Sequence, residues 1–312
     1  LGRLININLG NNYNVNYGYM TNGKRTTEIV NKLQNGNDEY KYTYDKLNNI
    51  TQQFLNNVLT NEYSYDEHNE LIQEKNHLLN ELIEYNYDNY GNILSTKTKR
   101  LDTGEIIKTN NYQYNNENWL DQLTNYNGNN LTYDQIGNPI KVGKNIDMTW
   151  INGRELESYS DSDKSLNVSY EYNADGYRIS KTVNGIKTKY HLEGSNIIYE
   201  ETGNDLIYYL YDYTGIIGLV YNGEKFYYVK NLQGDIIGIL NGASEQIVTY
   251  EYDIWGKIIG IKDKNGNLIT DSENIGYINP FRYRGYYYDQ ETELYYLNSR
   301  YYNPEWKRFI NP

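Results

Sequence analysis

A short motif, Y-x-Y-D-x-x-[GN], recurs roughly every twenty residues along the chain. Its clearest copies are YTYDKLNNI from Tyr42, YSYDEHNEL from Tyr63, YNYDNYGNIL from Tyr85 and YEYDIWGKII from Tyr250. The two tyrosines are two residues apart, so in a β-strand they point to the same face. The Asp that follows suits the first position of a type I turn, because its side chain accepts hydrogen bonds from backbone N–H groups ahead. Each copy therefore predicts a strand that ends in a tight turn.

The position three residues after the Asp supports this interpretation. A type I turn followed by a G1 bulge needs a positive φ there, and Gly and Asn tolerate that conformation best. In the clear and the looser copies of the motif the position is always Gly or Asn: Asn48, Asn69, Gly91, Asn118, Gly137, Gly176, Gly215, Gly234 and Gly256.

Asn-Gly pairs predict a second kind of turn, the type I′ hairpin, in which both residues have positive φ. Five examples are Asn22-Gly23, Asn127-Gly128, Asn184-Gly185, Asn222-Gly223 and Asn265-Gly266. The two turn types together predict a long antiparallel meander of roughly thirty strands. The nearest candidate for a helix is EIVNKLQN from Glu28, and it is short.

A meander of this length has to curl, because open twisted sheets rarely exceed about 10 strands. A propeller would group two repeats into each four-stranded blade, and a stacked solenoid would need a stricter period. A continuous spiral tolerates the variable loops of this chain. The irregular spacing of the repeats therefore favours the spiral, with the other two architectures left open.

The composition excludes several classes of function. The net charge is −12, which argues against a nucleic-acid-binding surface. The chain has no cysteine, so disulfides and thiolate metal sites are excluded, and no apolar run approaches the ~18 residues of a membrane helix. Its three histidines, His68, His77 and His191, form no spaced cluster with acidic residues. We expect them to be surface residues and predict neither a metal site nor a cofactor.

The repeats resemble the YD repeats of the Rhs family, which also occur in the C component of insecticidal Tc toxins and in the teneurin YD shell. The closing stretch NPFRYRGYYYDQETELYYLNSRYYNPEWKRF is similar to the Rhs-associated core motif of that family. The resemblance implies an all-β fold, in which a long antiparallel meander of YD-repeat hairpins winds into a spiral, hollow β-shell or cocoon. Residues 1–278 would form the repeat shell, and residues 279–312 the core motif that closes it within the same structural domain.

The resemblance also implies a function. The chain would be the shell of a bacterial Rhs-type polymorphic toxin, secreted or at the cell surface, that encloses a C-terminal toxin domain of the same polypeptide. A cap or further YD repeats would complete the enclosure, and the shell itself would bind no nucleic acid. The family's self-cleavage segment lies beyond the core motif, so we expect no catalytic residue and no enzymatic activity in this chain alone.

The core motif supplies most of the candidate site residues. Arginine side chains there are expected to pack on tyrosine rings, or to position the segment downstream. Asp289 is expected at a YD-type turn, Pro304 is expected to end the strand pairing, and no further Y-x-Y-D turn is predicted after Leu294. Two residues depart from the family pattern, Glu293 in place of Gly and Asn303 in place of Asp. The candidates are Arg282, Arg284, Asp289, Arg300, Tyr301, Tyr302, Pro304, Arg308 and Phe309.

The repeat aspartates are a second candidate set. Paired carboxylates can serve in acid–base catalysis, but a recurring place after Y-x-Y is fully explained by turn formation. The predicted turn residues are Asp45, Asp66, Asp88, Asp134, Asp212 and Asp253.

Two alternative functions stay open at this point. Tyrosine rings exposed in a groove would favour an extracellular carbohydrate-binding or adhesion protein, whereas tyrosines that line a shell and stack across strands would favour encapsulation. The chain could also be one part of a self-cleaving aspartyl protease that downstream residues complete. The face that carries the tyrosines distinguishes the first two.

Overall fold

A computed structural model describes residues 3–9, 13–21, 23, 25–34 and 36–311. The chain divides into two compact units, Leu1–Leu131 and Thr132–Pro312. From Asn6 to Tyr133 and again from Pro139 to Asp263, each strand pairs antiparallel with the next strand in sequence. The predicted all-β antiparallel meander is therefore confirmed.

The strands of the first unit are short and closely spaced. They are β1 (Asn6–Leu9), β2 (Tyr13–Tyr19), β3 (Thr26–Leu33), β4 (Gly36–Tyr44), β5 (Ile50–Leu55), β6 (Val58–Tyr65), β7 (Leu71–Asn76), β8 (Glu81–Tyr87), β9 (Ile93–Arg100), β10 (Ile106–Gln113) and β11 (Asn125–Tyr126). β12 (Asn129–Tyr133) contains the division between the units. The stretch suggested as a helix near Glu28 is strand β3, because its side chains alternate between the two faces of the sheet.

The second unit continues in the same way. Its meander consists of β13 (Pro139–Val142), β14 (Ile146–Ile151), β15 (Glu155–Asp161), β16 (Leu166–Tyr172), β17 (Arg178–Val183), β18 (Ile186–Glu193), β19 (Asn196–Thr202), β20 (Asp205–Asp212), β21 (Gly215–Tyr221), β22 (Glu224–Lys230), β23 (Ile236–Leu240), β24 (Gln246–Tyr252) and β25 (Ile258–Asp263). A single-turn helix α1 (Ile275–Ile278) and a 3₁₀ turn (Tyr283–Gly285) lead to a separate four-stranded sheet. That sheet is β26 (Tyr287–Asp289), β27 (Leu294–Tyr296), β28 (Tyr301–Asn303) and β29 (Arg308–Phe309).

The turns of the repeats have the geometry that their sequence predicts, with two exceptions. Eight of the nine predicted positions have positive φ, from 70° at Asn69 to 106° at Gly215. Asn118 does not, because Asn116 starts the turn in that repeat and accepts from the Asn118 N–H at 3.0 Å. Asn265-Gly266 is also not a type I′ turn. Its Asn has no positive φ, and Asp263 starts a YD-type turn there instead.

Three other Asn-Gly pairs have positive φ at both residues, as predicted: Asn127-Gly128, Asn184-Gly185 and Asn222-Gly223. In the remaining pair, Asn22-Gly23, the Asn lies outside the described residues.

The second tyrosine of the motif makes a recurring hydrogen bond that the sequence did not predict. Tyr65 ends β6, and its hydroxyl donates to the carbonyl of Ile50 at the start of β5. The ladder between those strands stops at the Gln52–Glu62 pair, so the hydroxyl satisfies a carbonyl that the ladder leaves free. The same bond recurs from Tyr44 to Thr26, Tyr87 to Leu71, Tyr114 to Ile93, Tyr172 to Leu156, Tyr211 to Ile197 and Tyr252 to Ile236.

This bond gives a physical reason for the composition of the chain, which has 39 Tyr and only 4 Phe. A Phe ring could pack in the same place, but it would leave a carbonyl unsatisfied at each repeat. Where the motif lacks the second tyrosine, another donor takes its place. Trp150 Nε1 donates to Pro139 O at 2.7 Å, and Lys230 Nζ donates to Ile216 O.

Candidate functional site: the docked C-terminal segment

The C-terminal segment (residues 279–311) packs on the sheet of the second unit, and Arg178 is the centre of that contact. Arg178 is the first residue of β17, five residues after the Asn that starts its turn. In seven other YD turns that position is apolar: Ile50, Leu71, Ile93, Pro139, Ile236, Ile258 and Leu268. Arg178 is almost fully buried, and a buried cation requires an anionic partner.

Asp289 is that partner. Arg178 Nη1 lies 2.6 Å from Asp289 Oδ2 and Nη2 lies 3.1 Å from Oδ1, a bidentate pair in which both side chains are fully buried. Lys181 Nζ adds a contact of 2.9 Å to Asp289 Oδ1 and one of 2.7 Å to Glu291. Burial alone would raise the pKa of Asp289, but the charges of Arg178 and Lys181 outweigh burial and hold that pKa below its ordinary value. The sheet thus contributes two cations and the C-terminal segment two anions.

Four tyrosine rings surround the Arg178 guanidinium. Its Cζ lies 4.3 Å from the ring centroid of Tyr296, 5.0 Å from Tyr287, 5.1 Å from Tyr190 and 5.2 Å from Tyr170. Two of these rings come from the sheet and two from the C-terminal segment. Cation–π contacts between desolvated groups stabilise by about 2 kcal/mol, so the arginine joins the two parts through its charge and through its planar faces.

A second contact is made by tyrosine hydroxyls from the C-terminal segment. Three tyrosine hydroxyls donate to three successive carbonyls of the Asp253 turn. Tyr283 donates to Ile254 O at 3.0 Å, Tyr302 to Trp255 O at 2.9 Å, and Tyr295 to Gly256 O at 2.7 Å. The turn can be approached this closely only because residue 256 is glycine. A Cβ there would lie 2.4 Å from Tyr283 Cδ1.

Asn279 and Arg282 form the third contact, at the start of the segment. Tyr228 of the sheet donates to Asn279 Oδ1 at 2.6 Å, and Asn279 Nδ2 donates to the Tyr250 hydroxyl at 3.1 Å. Arg282 is buried, and it donates from Nη2 to the carbonyl of Tyr277 at 3.2 Å and to Gln290 Oε1 at 3.3 Å. Arg282 therefore shapes the segment itself rather than pairing with a carboxylate.

The other core-motif residues lie near these contacts. Arg284 has a φ of 56°, and its backbone N–H donates to Asp235 Oδ1 at 2.9 Å. The Tyr301 hydroxyl lies 2.8 Å from that of Tyr172 on β16. Arg300 lies over the ring of Phe309, with Cζ 3.7 Å from the centroid. The Arg284 side chain lies over the ring of Tyr283, with Cζ 5.3 Å from the centroid, and its Nε lies 3.6 Å from Asp235 Oδ1. The two roles expected for these arginines stay predictions.

The end of the segment differs from the sequence expectation in one respect. A further hairpin does follow Leu294, formed by β28 and β29 and paired at Asn303 and Arg308. Asn303 takes the place of the turn aspartate, since its Oδ1 accepts from the N–H groups of Glu305 and Trp306. Pro304 ends β28, but it lies inside this turn and the pairing resumes after it.

The repeat aspartates lie in their turns. In Asp45, Asp66, Asp88, Asp134 and Asp253, one carboxylate oxygen accepts from the backbone N–H groups two and four residues ahead, at 2.8 to 3.0 Å. Asp212 accepts only from Thr214, because its loop is shorter. Turn formation therefore uses one oxygen of each of these carboxylates.

The face that carries the repeat tyrosines can now be assigned in the second unit. Tyr170, Tyr209, Tyr228 and Tyr250, each the first tyrosine of its repeat, are buried on the face that receives the C-terminal segment. These rings do not form an open groove. Within the described part of the chain, no helix is long and apolar enough to cross a membrane.

Comparison with known proteins places this geometry in a family. No family model matches the chain. It is 32% identical over 247 residues to a tRNA3(Ser)-specific nuclease WapA of Bacillus spizizenii, and 34% identical over 248 residues to the tRNA nuclease WapA of Bacillus subtilis. Each match covers 77% of this chain and 10% of the relative, so the chain spans about a tenth of the length of these proteins.

A solved structure shows the same fold. The crystal structure of TcdB2–TccC3–Cdc42 superimposes with a TM-score of 0.74 at 16% identity, over 96% of this chain and 17% of that one. The YD motif, the WapA relatives and this shared fold lead to the same assignment. The chain belongs to the Rhs/YD-repeat family.

Proposed function

We propose that the chain forms part of the wall of a YD-repeat shell that encloses a toxin domain of a longer, secreted or surface-attached bacterial polypeptide. The observation that carries the proposal is the docked C-terminal segment. It covers the tyrosine face of the second unit through the Arg178–Asp289 pair and the three hydroxyl contacts to the Asp253 turn. A segment buried this deeply suits the end of a wall that has to stay closed.

The relatives and the fold support the same proposal. The WapA proteins are named as tRNA nucleases and are about ten times longer than the matched region, so their nuclease chemistry need not lie in it. An acidic wall with a net charge of −12 would not itself hold tRNA. In this chain the toxin would be carried on another part of the polypeptide, and further YD repeats or a cap would complete the enclosure.

The carbohydrate-binding alternative loses its main support. It required the repeat tyrosines to display their rings in a groove, but in the second unit the first tyrosines are buried. The second tyrosines use their hydroxyls on backbone carbonyls. Sugar hydroxyls would have to compete with these bonds.

Limited proteolysis of the longer protein tests the proposal. The natural polypeptide, with its toxin domain inactivated, is treated with a non-specific protease, and the fragments are followed by mass spectrometry. Enclosure predicts that the toxin domain is cut far more slowly than the same domain expressed alone. Equal rates would exclude it. The untreated sample also reveals any self-cleavage, because a fragment released after the core motif would appear without protease.

A further inference from the structure

Six of the YD turns share one pairing between their first residue and the residue four positions later. One of the two is a carboxylate, the other is an amide, and the amide donates to the carboxylate. This holds at Asp45–Asn49, Asp88–Asn92, Asp134–Asn138, Asn231–Asp235, Asn241–Glu245 and Asp263–Asn267, with N–O distances from 2.6 to 3.3 Å. The order of amide and acid can be reversed without loss of the bond. The turns that begin at Asn173 and Asp253 do not share this pairing, because Tyr177 and Lys257 stand at the later position.

The turn that begins at Asp66 also lacks this pairing, and there the residue four positions later is Glu70. Asp66 Oδ1 still accepts from the backbone N–H groups of His68 and Glu70, each at 2.9 Å. No amide is available to donate to Oδ2, and a second carboxylate stands in its place. Among the YD turns that the structure describes, this is the only one with acids at both positions. Two facing carboxylates repel each other, and a cation or a shared proton between them relieves the repulsion.

His68 brings a third ligand to the same place. Its Nδ1 lies 4.0 Å from Asp66 Oδ2, and one ligand atom from each of the three side chains lies within 4.8 Å of the other two. Atoms bound to one zinc ion at 2.0–2.2 Å are separated by at most about 4 Å, so small side-chain rotations suffice. His68 is exposed and free to make them. Sequence reasoning missed the cluster because it did not consider residues 66, 68 and 70 as neighbours around one turn.

We propose that Asp66, His68 and Glu70 form a binding site for a divalent first-row cation, with Zn²⁺ as the best fit. One imidazole nitrogen and two carboxylate oxygens are ligands that zinc accepts, and water would complete the coordination. Calcium and magnesium are poorer fits, because they prefer an all-oxygen shell. The bound ion would replace the missing amide and close the turn.

The test uses tag-free protein freed of metal with a chelator, and two variants that copy the other turns. Glu70→Asn restores the carboxylate–amide pair, so this variant is expected to fold at least as well as the parent. His68→Leu copies Leu47 at the same position of another turn. His77→Ala is the matched control, since His77 contacts Glu62 at 3.0 Å elsewhere in the same unit.

Calorimetric titration with ZnCl₂ is expected to show one equivalent bound by the parent and by the His77→Ala control. Both turn variants should bind at least about tenfold more weakly. Co²⁺ should give visible absorption bands in the parent that disappear in His68→Leu. The proposal is overturned if the parent binds no zinc, if both turn variants bind as the parent does, or if binding is lost with His77 instead.

Discussion

The replacement of Asp289 by Asn is the most informative single perturbation of this molecule. The Asn side chain has nearly the same shape but no charge, so Arg178 would stay buried without its anion. Arg178 and Asp289 are both fully shielded from solvent and form two direct bonds. Removing one partner of such a pair costs about 3–5 kcal/mol, because an uncompensated charge remains inside the protein.

The loss of stability in Asp289→Asn should be confined to the contact between the C-terminal segment, which contains Asp289, and the sheet, which contains Arg178. Hydrogen exchange of the amides in β26 and β27 measures the opening of that contact directly. A cost of this size predicts exchange faster by about 10²- to 10⁴-fold in those strands. Asp147→Asn is the matched control. Its carboxylate forms an exposed ion pair with Lys141 at 2.6 Å, and such pairs contribute at most about 1 kcal/mol.

A double variant completes the argument. Arg178→Met combined with Asp289→Leu removes both charges and leaves apolar side chains, so it should be much less destabilised than either single variant. If Asp289→Asn leaves the exchange of β26 and β27 unchanged, the pair does not hold the segment. If the double variant loses as much stability as Arg178→Met and Asp289→Leu lose in sum, the two residues are not coupled.

Four further predictions follow from single contacts. Tyr87→Phe should lower the free energy of unfolding by about 1 kcal/mol in urea titration, because one strand carbonyl loses its donor; an unchanged value would refute the role assigned to the hydroxyl. Gly256→Ala should lower the free energy of unfolding by about 1–3 kcal/mol more than Gly266→Ala does. Both glycines have positive φ, but only a Cβ at position 256 would clash with a neighbouring side chain. Equal melting temperatures of the two variants would contradict this. Glu293→Gly should raise the free energy of unfolding by about 1 kcal/mol in urea titration, because residue 293 has a φ of 61°, which glycine adopts without strain. A destabilised variant would contradict this prediction. Burial raises the pKa of Glu200, so its contribution to stability is full below the unfolded pKa and is lost as pH rises through the folded pKa. Glu200→Gln should therefore gain stability relative to the parent as pH rises above the unfolded pKa of about 4.3, and parallel pH profiles would argue against it.

The meander and most of its turns could be predicted from the sequence because their signals are local. An Asp that accepts from the backbone two and four residues ahead, and a Gly or Asn with positive φ, depend only on a stretch of five residues. Asn265-Gly266 was misread because two local signals compete there. Asp263 lies in the right place to start a YD turn, and its hydrogen bonds to residues 265 and 267 win.

The contacts of the C-terminal segment could not be predicted in the same way. Asp289 and Arg178 are 111 residues apart, and no local pattern joins them. One signal was available, namely that Arg178 occupies a position where most other repeats have an apolar residue. It indicates a buried cation but does not say where the anion comes from. The hydrogen bonds of the second tyrosines were missed for a related reason, since their acceptors become visible only once the strand register is known.

The central claim is that this chain is a wall closed by its own C-terminal segment around a cargo. A cryo-electron-microscopy map of the longer natural polypeptide tests it most directly. The account predicts residues 279–311 packed on the tyrosine face, with Asp289 against Arg178, and density for the toxin domain inside an enclosed space. A toxin domain folded outside the sheet, or a C-terminal segment detached from it, would contradict the account.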